Sequence, residues 1–309
     1  MKFRFDNMDA SENAFFARQL ESIRAQAFDI QYAELKGFQL VPVNNSFHAG
    51  TEEWTYRVYD RVGVAAISSD ASDRGPNVEI RGFEQTQKIR TLKDHYQYSI
   101  QEAQASMMAN ANLDGRKATA ARAAIATLHD DIMLTGNATA GLKGLFTLTG
   151  TETYATSTGA AGSTLFTAKT PDEIVQDLHN MVYQVNQNSS MIETCDTLVL
   201  PLARRGLVMS TRMGDGSNQT IYSHFMETNG MIKTVEFSQK LNTAPAGEWV
   251  GTRAMAYKKD PSKLECLMPV EFTQLAPQWD GFVVRTHCHA RTGGVCLYFP
   301  KSVVYADNI

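Results

Sequence analysis

The chain has 309 residues, 43% hydrophobic and 20% charged, which excludes wholesale disorder and supports a sizeable core without disulfide staples. Its 29 Lys and Arg against 33 Asp and Glu give a formal charge of −4, which excludes a protein whose main task is neutralising a phosphate backbone. The mean hydropathy is −0.28, no apolar run reaches the ~18 residues of a membrane span, and Met1–Asp9 is too charged for a secretory signal.

Phe16, Leu20, Ile23, Ala27 and Ile30 recur at helical spacing, with Ser11 as N-cap and Gly37 as C-cap. This N-terminal helix either docks on its own domain or lies across a neighbour. Phe38 to Phe47 is expected to be short and extended, broken at Pro42. The period then falls to two. Trp54, Tyr56 and Val58 alternate with Thr55, Arg57 and Tyr59, and Val62, Val64 and Ala66 continue the strand. A polar turn at Ser68–Asn77 sends the chain back through Val78 and Ile80 to Leu92. Such a two-stranded excursion is marginal in water by itself and needs a surface to lie on.

Tyr98 to Asn110 is predicted as a helix. A longer one follows, with Ala118, Ala121, Ile125, Leu128 and Ile132 on one face and Gly136 as its stop. Asp130 and Asp131 sit at its C-terminal end, where the helix dipole disfavours negative charge, so a compensating cation or a solvent-facing role is expected. Thr147 to Thr167 is a loop or edge ribbon between subdomains. Thr170, Pro171 and Glu173 spell a capping box, with Ile174, Leu178, Met181, Val182 and Val185 on the buried face of the helix they open. Asp196–Leu200, Met231–Phe237 and Trp249–Tyr257 read as strands, Pro201–Thr211 as a helix start and Gly214–Asn218 as an exposed loop. The alternation implies an α/β subdomain over 170–259. The C-terminal part is β, with strands in Leu264–Leu275, Gly281–His289 and Val295–Tyr305 and a hairpin turn at Gly293-Gly294. These strands are expected to return to the long helix.

Signatures of catalysis are lacking. No nucleophile elbow, H-E-x-x-H or C-x-x-C pair is present. Gly136 to Lys143 approximates a phosphate loop, but Leu142 replaces the required lysine and the loop follows a helix. His287-Cys288-His289 puts both imidazoles on one strand face and would need a third ligand such as Cys296. The expectation is no catalytic residue, no cofactor and no metal, with Cys195, Cys266, Cys288 and Cys296 reduced and buried.

The order of parts is itself a signal. An N-terminal helix precedes a long two-stranded loop, a short helix and an Ala-rich helix ending in Asp130-Asp131-Ile132-Met133-Leu134-Thr135-Gly136. Gly141-Leu142-Lys143-Gly144-Leu145, an α/β subdomain and a closing β segment with Arg291-Thr292-Gly293-Gly294-Val295 complete the chain. This resembles the major capsid proteins of tailed bacteriophages, whose Hong Kong 97-type fold encapsulin shells share.

The resemblance implies an α+β chain with an N-terminal arm at 1–37 and an extended β loop at 45–93. It implies a peripheral domain with a spine helix at 94–168 and 263–309, and an axial α/β domain at 169–262. The function implied is an icosahedral head shell, self-assembled around double-stranded DNA. The alternatives are an encapsulin-like container and a soluble α/β enzyme. The implied partners are many sister copies in hexamers and pentamers, with scaffold, portal and cement or decoration proteins. DNA would be enclosed without sequence readout, no membrane would be involved, and assembly would occur in the host bacterial cytoplasm. The family's protease trimming is not expected of a chain that opens at Met1 with no separate scaffolding segment.

On the extended loop, Trp54, Tyr56 and Tyr59 are the expected apolar anchors for a neighbour. Arg57, Arg61, Asp70, Asp73 and Arg74 are expected to set register by charge pairing. Asp215, Ser217 and Asn218 form the candidate axial loop. The tip at Ser68–Val78 has no lysine, so the covalent chain-mail that some members make from an extended-loop lysine is not expected.

Overall fold

Strands form where apolar and polar residues alternate, helices where apolar residues recur every three to four positions. The computed structural model describes residues 34–65, 67, 77–109, 112–214, 216, 218–245 and 247–309. The chain divides into Met1–Glu34 and Leu35–Ile309, and the fold that follows is that of the second unit. The predicted N-terminal helix lies outside the described residues.

The first elements are α1 (Gly37–Leu40), β1 (Val43–Asn44), β2 (Glu53–Val62), β3 (Glu79–Lys88), β4 (Arg90–Ser99), α2 (Ile100–Met108) and α3 (Leu113–Leu134). Next come β5 (Glu152–Tyr154), α4 (Pro171–Asn188), β6 (Thr197–Pro201), α5 (Arg205–Ser210), α6 (Ile221–Thr228), β7 (Thr234–Ser238) and β8 (Arg253–Tyr257). The chain ends with β9 (Leu264–Leu267), β10 (Val270–Gln274), β11 (Gln278–Asp280), β12 (Val283–Thr292), β13 (Gly294–Leu297) and β14 (Val303–Asp307).

A five-stranded sheet in the order β5-β14-β8-β6-β7 carries the α/β part. It is covered on both faces, so neighbouring residues of one strand enter different cores. Leu198, Leu200, Ala254, Ala256, Val304 and Ala306 pack under α4 with Ile174, Leu178, Val182 and Val185. Val199, Met255, Tyr257, Val303 and Tyr305 pack on the other face with Leu40, Met133, Phe146 and Val295. The α4 start follows its capping box: Thr170 Oγ1 accepts from the Glu173 N–H, and Glu173 accepts from the Thr170 N–H.

A third core lies between α3 and a second sheet, in which β12 pairs with β4, β10 and β11. Ala121, Ile125 and Ile132 of α3 meet Leu92, Tyr96, Cys288 and Ala290. Gly136 ends the helix region in the left-handed conformation (φ 75°), and a Cβ there would lie 2.6 Å from Gly144 N and Leu142 O. The chain then returns, and the Leu145 and Phe146 N–H groups donate to Met133 O (2.7 Å) and Leu134 O (2.8 Å). Carbonyls that would be orphans at the helix end are thereby satisfied.

The two carboxylates near that end find separate solutions. Asp130 is buried and accepts the Gly37 N–H at 2.6 Å, while Asp131 pairs with Lys240 at 2.6 Å. Burial raises the Asp130 pKa, and the bond from Gly37 opposes that rise.

Several expectations need correction. Gly37 opens α1 and lacks the positive φ of a left-handed C-cap, and its N–H donates to Asp130. Leu92 to Ser99 belongs to β4, a strand separate from β3, so the predicted helix at Tyr98 starts only at Ile100. Gly293-Gly294 is not a hairpin turn. β12 and β13 belong to different sheets, and Gly294 (φ 69°) carries the chain past Lys143 O, which a Cβ would approach to 2.6 Å. The last strand does not join the β12 sheet along the long helix; it meets only the C-terminal end of that helix, at Met133 and Leu134. β14 pairs antiparallel with β8 and parallel with β5, inside the five-stranded sheet. Helix α6 carries a capping box of its own, Thr220 with Ser223, that the sequence reading passed over.

Candidate assembly interface

β2 and β3 form a ribbon of their own, a two-stranded antiparallel sheet with register from Glu53↔Lys88 to Val62↔Glu79. Cross-strand pairs hold it: Thr55 and Thr86 hydroxyls lie 2.9 Å apart, and Arg57 Nε lies 2.8 Å from Glu84 Oε1. Gly82 stands opposite Tyr59, and a Cβ there would come within 3.2 Å of the ring.

The base of the ribbon is fixed to its own chain. The Trp54 ring meets Phe47 edge-on at 4.7 Å, and the Tyr56 ring meets Tyr298 at 4.8 Å. Tyr56 Oη donates to Leu297 O (3.0 Å), and Gln87 Nε2 donates to Gly293 O (2.8 Å). Burial, aided by the adjacent Cys296, pushes the Tyr56 phenol up to about 12. Trp54 and Tyr56 are therefore half-buried against the chain's own body, whereas Tyr59, the third expected anchor, stands exposed.

Beyond the base the ribbon loses its cover. Tyr59 is 66% exposed, Ile80 70%, Phe83 57%, Val78 67% and Val64 77%. Pairing places Tyr59 and Ile80 on one face, with Val62 and Phe83 on the other. Arg61 is exposed, whereas Arg57 is engaged with Glu84 within the ribbon. Asp70, Asp73 and Arg74 lie outside the described residues. Ile80 and Phe83 are not among the expected anchors; the alternation Val78, Ile80, Gly82 signals Ile80, whereas Phe83 lies on the opposite face.

The predicted axial loop joins α5 to α6. An isolated bridge between Arg212 and Thr220 closes it, the Met213 N–H donates to Gln219 O (3.1 Å), and Gly216 takes φ 88°. Asn218 is exposed there, and Asp215 and Ser217 lie outside the described residues.

No group of three or more His, Cys, Asp or Glu among the described residues could hold a metal ion. His287 instead lies beside His95, ring centroids 5.7 Å apart, while Cys288 points into the third core. The four cysteines are free and buried. Burial pushes Cys195, Cys266 and Cys296 up to about 12, which keeps them as inert thiols. No helix among the described residues is long and apolar enough to cross a membrane.

Comparison with solved structures returns the same architecture. The capsid of Myoviridae phage XM1 superposes with a TM-score of 0.80 at 16% identity, covering 96% of this chain and 99% of that one. The capsid of a native GTA particle gives 0.67 at 12% identity, covering 94% and 96%. The virus-like particle from Pyrococcus furiosus gives 0.51 at 12% identity, covering 87% and 91%. The fold is thus the Hong Kong 97-like α+β fold of phage capsids. No curated protein matches by sequence. The family model described as major capsid protein matches residues 63–309, from inside the ribbon to the C-terminus. A chain with this fold, this match and an uncovered apolar ribbon belongs to the major capsid protein family, whose members build the capsid shell from many copies of themselves.

Proposed function

We propose that the outer ribbon is the lateral contact by which each subunit grips the next in hexamers and pentamers of an icosahedral head shell. The observation that carries this reading is the exposure of Tyr59, Ile80 and Phe83 (66%, 70% and 57%) on a sheet of only two strands. A monomer has no use for aromatic and branched side chains on both faces of a free ribbon, and an interface does. Heterologous contacts of this kind close into rings, and a subunit held at many edges leaves only when all fail together. Arg61, with Asp70, Asp73 and Arg74 of the tip, would set register through charge. Asp215, Ser217 and Asn218 would meet their copies around the ring axes.

In this reading the chain is structural and turns over no substrate. It assembles in the bacterial cytoplasm with scaffold, portal and decoration proteins and encloses double-stranded DNA without reading its sequence. The net charge of −4 suits a wall that does not bind its contents tightly. No lysine occurs at the ribbon tip, so shells should run as monomers on a boiled denaturing gel.

Deleting residues 68–77 should leave soluble subunits that form no shells, as seen by negative-stain imaging and size-exclusion chromatography. Normal particles from that variant would defeat the proposal. Nucleic acid recovered from nuclease-treated particles of infected cells separates a genome shell from a protein-cargo container.

A further inference from the structure

Lys169 and Asp177 form the most deeply buried ion pair among the described residues, with side-chain exposures of 0% and 1%. Lys169 precedes the N-cap of α4, and Asp177 lies two turns along the buried side of that helix, beside Ile174 and Leu178. Lys169 Nζ contacts Asp177 Oδ2 and lies 5.6 Å from the centre of the Phe166 ring. Three donors converge on the other carboxylate oxygen: Tyr154 Oη (3.0 Å), Ser157 Oγ (2.7 Å) and the Ser157 N–H (3.2 Å) reach Oδ1. The arrangement is an amine held against one oxygen of a carboxyl group whose second oxygen sits in a nest of donors; both reacting side chains are buried, while Ser157 of the nest is exposed.

We propose that Lys169 and Asp177 condense into an intramolecular isopeptide bond. One proton passes from the Lys169 ammonium to Asp177 Oδ2, giving a neutral amine and a carboxylic acid. The two groups are already in contact, so the transfer needs no rearrangement of the site. The Nζ lone pair then attacks Asp177 Cγ. The negative charge that develops on Oδ1 falls where Tyr154 and Ser157 already point their hydrogens, as in an oxyanion hole. Collapse breaks the Cγ–Oδ2 bond, and Oδ2 leaves as water with a second proton from Nζ. The sum is ammonium plus carboxylate to amide plus one water, with no oxidation, reduction or co-reactant. Fixed contact between the reacting groups replaces a bimolecular encounter, and the product removes two desolvated charges from the core. Tyr154 and Ser157 act as positioning and oxyanion-stabilising groups and form no covalent bond.

The remaining buried pairs lack this combination. Lys263 and Glu193 retain 19% and 6% exposure, and Arg253, paired with Asp307, has no nucleophilic amine at neutral pH. Lys263–Glu193 is the internal control and should stay ionic.

The test is the intact mass of the purified full-length chain, followed by a tryptic map. The expected result is a mass lower by one water, no cleavage after Lys169, and a fragment in which Lys169 and Asp177 are joined. The Lys169→Met variant, which keeps the bulk without the amine, should recover the full mass. Tyr154→Phe combined with Ser157→Ala should lower the joined fraction while both reacting residues remain. A wild-type chain of full mass, cleaved normally after Lys169, would overturn the proposal. So would a lost water that maps elsewhere, for example to a succinimide at Asp114-Gly115 or Asp280-Gly281. The readout is independent of shell formation, so it stands or falls apart from the role of the ribbon.

Discussion

The ribbon and the five-stranded sheet use the same backbone geometry to opposite ends. β6 and β8 are five residues long and buried at every position, whereas β2 and β3 are ten residues long with no buried position. The sheet has α4 on one face and the α3 end with its return loop on the other, so Leu198 and Val199 reach different cores from adjacent positions. The ribbon beyond Tyr56 has neither cover. Strand-forming residues specify the pleat, but what lies above and below decides whether the strand belongs to a core or to a contact. Each exposed Ile or Phe on the ribbon retains about 1.5–3 kcal/mol of burial free energy for whatever covers it.

The comparison breaks most sharply if the two regions are mutated in parallel. Ile80→Asp with Phe83→Asp should abolish shells completely while leaving the thermal unfolding of the isolated subunit nearly unchanged, since both sites are exposed. Sedimentation of assembly reactions and calorimetry of the subunit check the two halves. Leu198→Ala should do the reverse. That side chain is 0% exposed, and its truncation should cost about 2–5 kcal/mol in denaturant unfolding. A ribbon variant that unfolds early, or a core variant with wild-type stability, would erase the distinction.

Acid offers a second way to separate body from ribbon. His129 on α3 is buried, 3.8 Å from Cys266 and edge-on to Phe38 at 5.3 Å, and burial lowers its pKa to about 4. The folded pKa lies below the unfolded ~6.5, so the unfolded chain binds more protons in that window. Stability is therefore full above about pH 6.5 and falls as pH drops towards 4, by up to about 3 kcal/mol. The raised pKa of Asp130 acts in the opposite sense and blunts the slope. Unfolding free energy of the wild type minus that of His129→Gln, measured from pH 7 to pH 4, isolates the histidine. A flat difference profile would refute the assignment.

Local chemistry was legible from sequence and distant pairing was not. The Thr170–Glu173 box, the Ala-rich α3 and the left-handed Gly136 each depend on residues within a few positions. The place of β14 depends on β5 and β8, far away in the chain, and its own alternation is equally compatible with any two-faced core. Gly293-Gly294 carries the usual hairpin composition, yet Gly294 is needed because Lys143 O passes too close for a Cβ. The ribbon shows the same limit. Alternation put Trp54 and Tyr56 on one face correctly, but only the approach of Phe47, Leu297 and Tyr298 shows that this end of the face is already occupied.

The smallest effect probes the cover itself. Helix α4 roofs one face of the five-stranded sheet, and its first turn is held by the reciprocal Thr170–Glu173 bonds with Pro171 at the first helical position. Thr170→Ala removes one acceptor for an orphan N–H at the surface, without opening a cavity. It should cost about 1 kcal/mol in denaturant unfolding. The Glu173 carboxyl, held below the usual range by the Thr170 and Ala160 N–H groups, keeps its half of the box and limits the loss. Because the cap belongs to the body, shell yield should fall only as far as subunit stability does. A Thr170→Ala subunit of normal stability that still fails to assemble would mean that the start of α4 is itself a contact, and the ribbon would no longer be the whole of the exposed side.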